Sequence, residues 1–284
     1  MKKTKILLLI MLFCLTGCFK ANSMDDIKIA TSIYPIEYVV RTLYGNHSTV
    51  VSIYPHDSNI LDFKVTKVLL KDYSTNNMFI FNGLTDEKDY VKSMKKYNNE
   101  LMIIDSTANI IYDYSIEELW LDPNNLLTIA NNIKNGFEEY IDGKYLIDEI
   151  NENYDNLKIE LTSLDGKFYS SVKNSKYNAI IVTDDAFKFL EKYGLEVVSL
   201  DEDTITQKNI TRAKELINNN SCKYLFIKYK EELNDTVKDI LNSTEISTLE
   251  FYTMTNLDDI NIDKNNYLTL MNDNLEKLKI ELYK

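Results

Sequence analysis

Four short runs rich in β-branched and aromatic residues, IKIATSIY (27–34), TVVSIYP (49–55), MFIFNG (78–83) and LMIID (101–105), are each followed by longer helix-like text. A second set repeats the arrangement: AIIVT (179–183), EVVSL (196–200), KYLFIK (223–228) and STLEF (247–251). A strand buried on both faces has no polar side to show, so continuous apolar runs alternating with longer segments are the pattern of parallel sheets covered by helices. Two sets of four predict an α/β protein with two similar Rossmann-like lobes.

Between the sets lies a stretch without proline, 144–173, in which Leu146, Ile150, Tyr154, Leu157, Leu161, Leu164 and Phe168 recur at steps of three and four. That spacing places them on one stripe of a helix. Gly166 interrupts the pattern at a cost of about 1 kcal/mol relative to alanine, too little to end a helix with so long an apolar stripe. One continuous helix over 144–173 is expected, a rigid strut between the lobes. The asparagines beside the stripe, Asn151, Asn153 and Asn156, argue against a coiled-coil dimer.

The start of the chain has a different character. Lys2, Lys3 and Lys5 precede an apolar run from Ile6 to Leu15, too short for a comfortable membrane span, and LTGC (15–18) follows. This is the pattern of an export signal with a bacterial lipobox, which predicts a signal peptide over 1–17, a lipid on the Cys18 thiol, a linker over 18–26 and a mature chain held at the outer face of the cytoplasmic membrane. Cys14 leaves with the signal, so Cys222 is the one ordinary cysteine and no intramolecular disulfide is expected.

The formal net charge is -12, and loss of the leader's lysines makes the mature chain more acidic still. Nucleic acid, whose phosphates require basic patches, is not an expected partner. The glycines form neither G-x-G-x-x-G nor a P-loop; His47 and His56, the only histidines, provide no H-E-x-x-H; and G-x-S-x-G is missing. Enzymatic function is unmotivated. No second apolar segment of about twenty residues exists, so a multi-span permease is excluded as well.

Five fragments in order, IATSIYPIEYVV (29–40), FIFNGL (79–84), LWLDPNN (119–125), DDAFKFLEKYGLE (184–196) and YLTLMNDNLEKLK (267–279), resemble the zinc- and manganese-binding receptors of bacterial metal ABC importers. The resemblance covers nearly the whole mature chain. It implies a lobe over 27–143, the interlobe helix over 144–173 and a second lobe over 174–284, with a metal held between the lobes by histidines and carboxylates. It also implies Zn2+ or Mn2+ as the transported ligand, a membrane permease and an ATPase as partners, and a monomeric receptor.

Transferred onto this chain, the family's four ligand positions depart from its pattern. The first, a histidine ahead of an aspartate-aromatic pair, falls on Leu61, and His56 lies five residues earlier in PHDSNILDFKVT (55–66). The second falls on Glu118, the third on Asp184 and the fourth on Tyr252. Leucine has no lone pair to offer, and a phenol is a poor zinc ligand at neutral pH. A zinc site wants nitrogen or sulfur donors, so an eroded site is expected, with Glu118 and Asp184 left to favour a hard cation through oxygen and His56, off the family position, a poor substitute. Trp120 is expected to pack within the first lobe, and DEDT (201–204) to form a solvated loop.

Two functions follow from this pattern. One is a lipid-anchored receptor that presents a metal cation to an importer. The other is a diverged scaffold without metal transport, a surface adhesion or partner-binding lipoprotein or a receptor for a non-metal ligand.

Overall fold

The computed structural model describes residues 24–55, 63–257, 260, 262 and 264–284. All eight apolar runs are strands: β1 (Ile27–Thr31), β2 (Ser48–Ser52), β3 (Met78–Phe81), β4 (Met102–Asp105), β5 (Ala179–Val182), β6 (Glu196–Ser199), β7 (Tyr224–Lys228) and β8 (Ser247–Phe251). They form two four-stranded sheets of identical topology, β2-β1-β3-β4 and β6-β5-β7-β8, every pair parallel. In each sheet the chain first winds outward to one edge, then crosses back to build the other side. The reversal leaves a crevice at the carboxyl ends of β1 and β3 in one sheet and of β5 and β7 in the other, where open α/β sheets bind ligands.

The helices begin where the sequence supplies starting residues. Helix α1 (Tyr34–Tyr44) has Pro35 in its first turn, where a missing N–H costs nothing. Helices α2 (Lys67–Tyr73) and α3 (Glu87–Tyr97) cover the first sheet, and the side chain of Thr66 caps α2. A single turn, α4 (Glu118–Leu121), leads through Asp122 into α5 (Pro123–Tyr140), and Asp122 caps α5 by accepting from the Asn124 N–H. In the second lobe Thr206, Asn234 and Asn266 cap α7 (Gln207–Asn218), α8 (Asp235–Ser243) and α9 (Tyr267–Leu282) in the same way. Each such cap contributes about 1 kcal/mol.

The strut between the lobes is α6 (Lys144–Lys173), thirty residues without a break and on the order of 45 Å long. Its buried stripe is Leu146, Ile150, Leu157, Leu161, Leu164 and Phe168, with Tyr154 half-buried beside it. The helix passes through Gly166, which faces open space. Its stripe packs on α1 and α5 of the first lobe and on α9 of the second. At its end Phe168 stacks on Tyr193 at 5.7 Å and meets Phe189 edge-on. One hydrophobic core therefore runs through both lobes. A second, smaller cluster around Leu200, Ala213, Leu225 and Ile240 lies under α7 and α8.

Trp120 is packed in the core as expected, and it also reaches beyond the first lobe. It is completely buried, its indole Nε1–H donates to the Thr253 carbonyl, and its own carbonyl accepts from the Tyr267 hydroxyl, so it joins the two lobes. An indole buried in an apolar core still needs an acceptor, and the second lobe provides it.

Candidate functional site

The second-lobe crevice is built from the ends of β5 and β7. Thr183 and Asp184 follow β5 directly, and Asp184 is extended, with its Oδ1 accepting from the Ala186 N–H at 2.7 Å. That bond caps the 3-10 segment Asp185–Tyr193. The other carboxylate oxygen, Oδ2, is ion-paired with the Nζ of Lys228, the last residue of β7. Glu231 folds back onto the same strand end: its Oε2 accepts from the Lys228 backbone N–H at 2.8 Å and from the Thr183 hydroxyl at 2.5 Å.

Both Lys228 and Asp184 are largely withdrawn from solvent, with 26% and 16% of their side chains exposed. Desolvation acts against the charge of Lys228, but the attraction of Asp184, reinforced by Glu117 and Glu231, outweighs it and holds the ammonium pKa above the ordinary lysine value. Burial raises the Glu231 carboxyl pKa, opposed by the Thr183 hydroxyl, the Lys228 N–H and the Lys228 charge. Glu117 belongs to the first lobe, so carboxylates of both lobes act on one ammonium.

The first-lobe crevice repeats the backbone part of this arrangement, with the neutral Asn82 at the strand end in place of Lys228. Glu87 Oε2 accepts from the backbone N–H of Asn82, directly after β3, at 2.7 Å, as Glu231 does at the end of β7. Glu87 is 3% exposed, and burial pushes its carboxyl pKa up to about 7, against the Asn82 N–H bond and the influence of the neighbouring Ser32, Thr85 and Tyr54 hydroxyls. It borders a cavity of about 260 Å³ lined also by Ile33, Tyr54, Phe63, Lys64 and Tyr90.

Glu118 opens α4, and its carboxylate folds back onto its own loop. It accepts from the backbone N–H groups of Asp113 (3.2 Å), Tyr114 (2.7 Å) and Ser115 (3.1 Å). Four residues, 114–117, thereby form a closed loop ahead of the helix, which satisfies amides that would otherwise be orphaned. Tyr252 presents its ring to Tyr229 (5.0 Å between centroids) and lies under the Lys277 ammonium, while its backbone pairs with the Asn274 side chain. Cys18, His56 and Leu61 lie outside the described residues. DEDT is only partly a solvated loop, because Asp201 turns inward to accept from the Asp185 N–H at 3.1 Å.

Among the described residues no three His, Cys, Asp or Glu side chains lie close enough together to hold a metal ion. The donors that a cation would meet, on Glu118 and Asp184, are oxygens already committed to backbone N–H groups and to an ammonium. This set does not fit a tetrahedral zinc site, which wants free nitrogen or sulfur donors.

A family model described as zinc-uptake complex component A, periplasmic, matches residues 29–280. The chain belongs to this family. Its members are metal-binding receptors that work outside the cytoplasm with the permease and ATPase of an ABC importer. Similar solved structures include a zinc-bound deletion mutant of ZnuA, at 15% identity and a TM-score of 0.75, covering 92% of this chain and 99% of that one. The metal-dependent lipoprotein YcdH of Bacillus subtilis aligns at 19% identity and a TM-score of 0.73, over 91% of this chain and all of that one. AdcAII of Streptococcus pneumoniae aligns at 17% identity and a TM-score of 0.75, over 91% and 99%. At such identities these neighbours establish the two-lobed fold. No curated protein sequence matches the chain. No helix among the described residues is long and apolar enough to cross a membrane.

Lys228, Glu231 and Glu117 were not legible from the sequence as parts of a cleft. A lysine at the end of KYLFIK reads as a solvent-facing strand end, and its partner Asp184 lies far away along the chain. The one available signal is the acidic text YKEE (229–232) directly after a strand, which marks a polar turn and no more.

Proposed function

We propose that the chain is a lipid-anchored extracytoplasmic receptor of a zinc- and manganese-type ABC importer whose metal site is eroded. In this reading residues 1–17 are the export signal, Cys18 carries the lipid, 18–26 is a linker, and the lobes span 27–143 and 174–284. The observation that carries it is the family match over 29–280 on a chain of two sheets with the same strand order, in which Glu117 of the first lobe acts on Lys228 at a strand end of the second. Glu118 and Asp184 remain the candidate donors at that site. Each must give up existing hydrogen bonds to bind, so the cation they take is hard, oxygen-loving and held more weakly than in a four-ligand zinc site. The receptor acts as a monomer.

The strut and the Trp120 bridge limit closure to a small tilt, since a wide hinge would pull a completely buried indole from its acceptor. Delivery to the permease then proceeds as a shift between two nearby states that docking loosens.

The test is calorimetric titration of the chelator-stripped chain from Phe19 to Lys284 with Zn2+ and Mn2+, beside a Glu118→Ala, Asp184→Ala double variant. Weak one-to-one binding lost in the double variant is the expected result. No heat and no thermal stabilisation with either ion would remove metal delivery as the function.

A further inference from the structure

The second-lobe crevice contains a cation that the protein supplies itself. Lys228 is fixed twice: its backbone N–H is held by Glu231 at 2.8 Å, and its ammonium is paired with Asp184 Oδ2. The second Asp184 oxygen is occupied by the Ala186 N–H at 2.7 Å. Both oxygens of the aspartate in the family's third ligand position are therefore engaged, one by a charge of the same sign as a metal ion.

A cation here is not a requirement of the fold. The corresponding strand end in the first lobe donates the N–H of Asn82 to Glu87 just as Lys228 donates its own to Glu231, and Asn82 carries no charge. The backbone geometry is thus served by a neutral residue at one crevice and by lysine at the other. An ammonium also cannot share the position with a metal, because it offers three donors and no lone pair. A divalent ion approaching Asp184 would meet that positive charge at close range in a partly dehydrated site, and displacing it would leave Lys228 withdrawn from water without its partner.

We propose that Lys228 is the specificity-determining residue of the cleft: its ammonium competes with a divalent cation for Asp184 and weakens the hold on metal cargo there. The inference rests on the receptor reading above and names the group responsible for the weakness of its site. With the ammonium gone, Asp184 faces the crevice with one free oxygen, Glu231 lies within its electrostatic reach, the field of Glu117 that acted on the ammonium remains, and water completes the shell of a hard ion such as Mn2+.

The test compares Mn2+ and Zn2+ titrations of the chelator-stripped chain in four forms: unaltered, Lys228→Met, Lys228→Arg, and Lys228→Met with Asp184→Asn. The methionine variant is expected to bind Mn2+ at least about ten-fold more tightly than the unaltered chain, since it removes the charge while keeping the length. Lys228→Arg keeps the charge and is expected to show no gain, and adding Asp184→Asn abolishes the gain. Lys228→Gln replaces the methionine variant if that one does not melt cooperatively. No tightening in a folded Lys228→Met or Lys228→Gln protein, or equal tightening in Lys228→Arg, overturns the proposal. The unaltered chain judges the receptor reading separately: binding there without a gain in the variant removes only the role of Lys228, whereas a gain without binding there removes only present-day metal delivery.

Discussion

The indole N–H of Trp120 in the first lobe donates to the carbonyl of Thr253 in the second, 2.8 Å away across 133 residues of chain. The hydroxyl of Tyr267, from the same second lobe, returns a bond of 2.6 Å to the Trp120 carbonyl. Both aromatic side chains are completely buried. The lobes are thus joined by polar bonds inside the core as well as by α6, and in a dry interior such bonds are costly to break because the freed groups find no water.

Trp120→Phe retains most of the packing but leaves the Thr253 carbonyl without its donor, and is expected to cost about 1–3 kcal/mol. Tyr267→Phe should cost about 1 kcal/mol or somewhat more for the same reason. Urea denaturation followed by circular dichroism measures both, since Trp120 is itself the only tryptophan and cannot be the probe. Wild-type midpoints in both variants would mean that the interlobe bonds contribute nothing to stability.

Glu87 predicts a pH dependence. Burial raises its folded-state carboxyl pKa to about 7 from an ordinary value of 4.5, so the folded state holds this proton more tightly than the unfolded chain does. Its contribution is most favourable below the unfolded pKa, declines as pH rises from about 4.5 to about 7, and is then constant, a loss on the order of 3 kcal/mol. Glu87→Gln keeps an acceptor for the Asn82 N–H and removes the titration. It is expected to be more stable than the unaltered chain at about pH 8 and to show a flatter stability profile between pH 5 and 8. Parallel profiles for the two proteins would rule out Glu87 as the group responsible.

Gly166 lies in the interior of α6, and a Cβ placed there meets nothing within 4 Å. Gly166→Ala is expected to stabilise the protein by about 0.5–1 kcal/mol, because alanine loses less backbone entropy on joining a helix and nothing obstructs its methyl group. Thermal melts of the two proteins decide it; a lower melting temperature for the variant would show that the helix needs the flexibility of glycine there.

Asp184 has two structural tasks, capping the segment after β5 and pairing with Lys228. Asp184→Ala removes both and is expected to cost about 2 kcal/mol, whereas Asp184→Asn keeps an oxygen for the Ala186 N–H and should cost less. Chemical denaturation of the metal-free proteins separates the two tasks. Equal losses would mean that the cap contributes nothing and the charge pair everything.

The eight strands and the interlobe helix were legible because their signal is carried by neighbouring residues. MFIF and AIIV are apolar at every position, as a strand covered on both faces must be, and the stripe from Leu146 to Phe168 repeats at helical spacing along most of one thirty-residue helix. Glu118 and Asp184 could likewise be singled out as candidates from their flanking text. What Glu118 and Asp184 do with their carboxylates could not be read this way. Glu118 turns onto three amides of its own loop, Asp184 meets an ammonium from the end of another strand, and Trp120 finds its acceptor in the other lobe. Periodicity belongs to a contiguous stretch and survives without its partners, so the sequence alone determined the two sheets, the strut and their order. Polar pairing depends on which chain segments folding brings within about 3 Å of one another, and that only the tertiary structure decided.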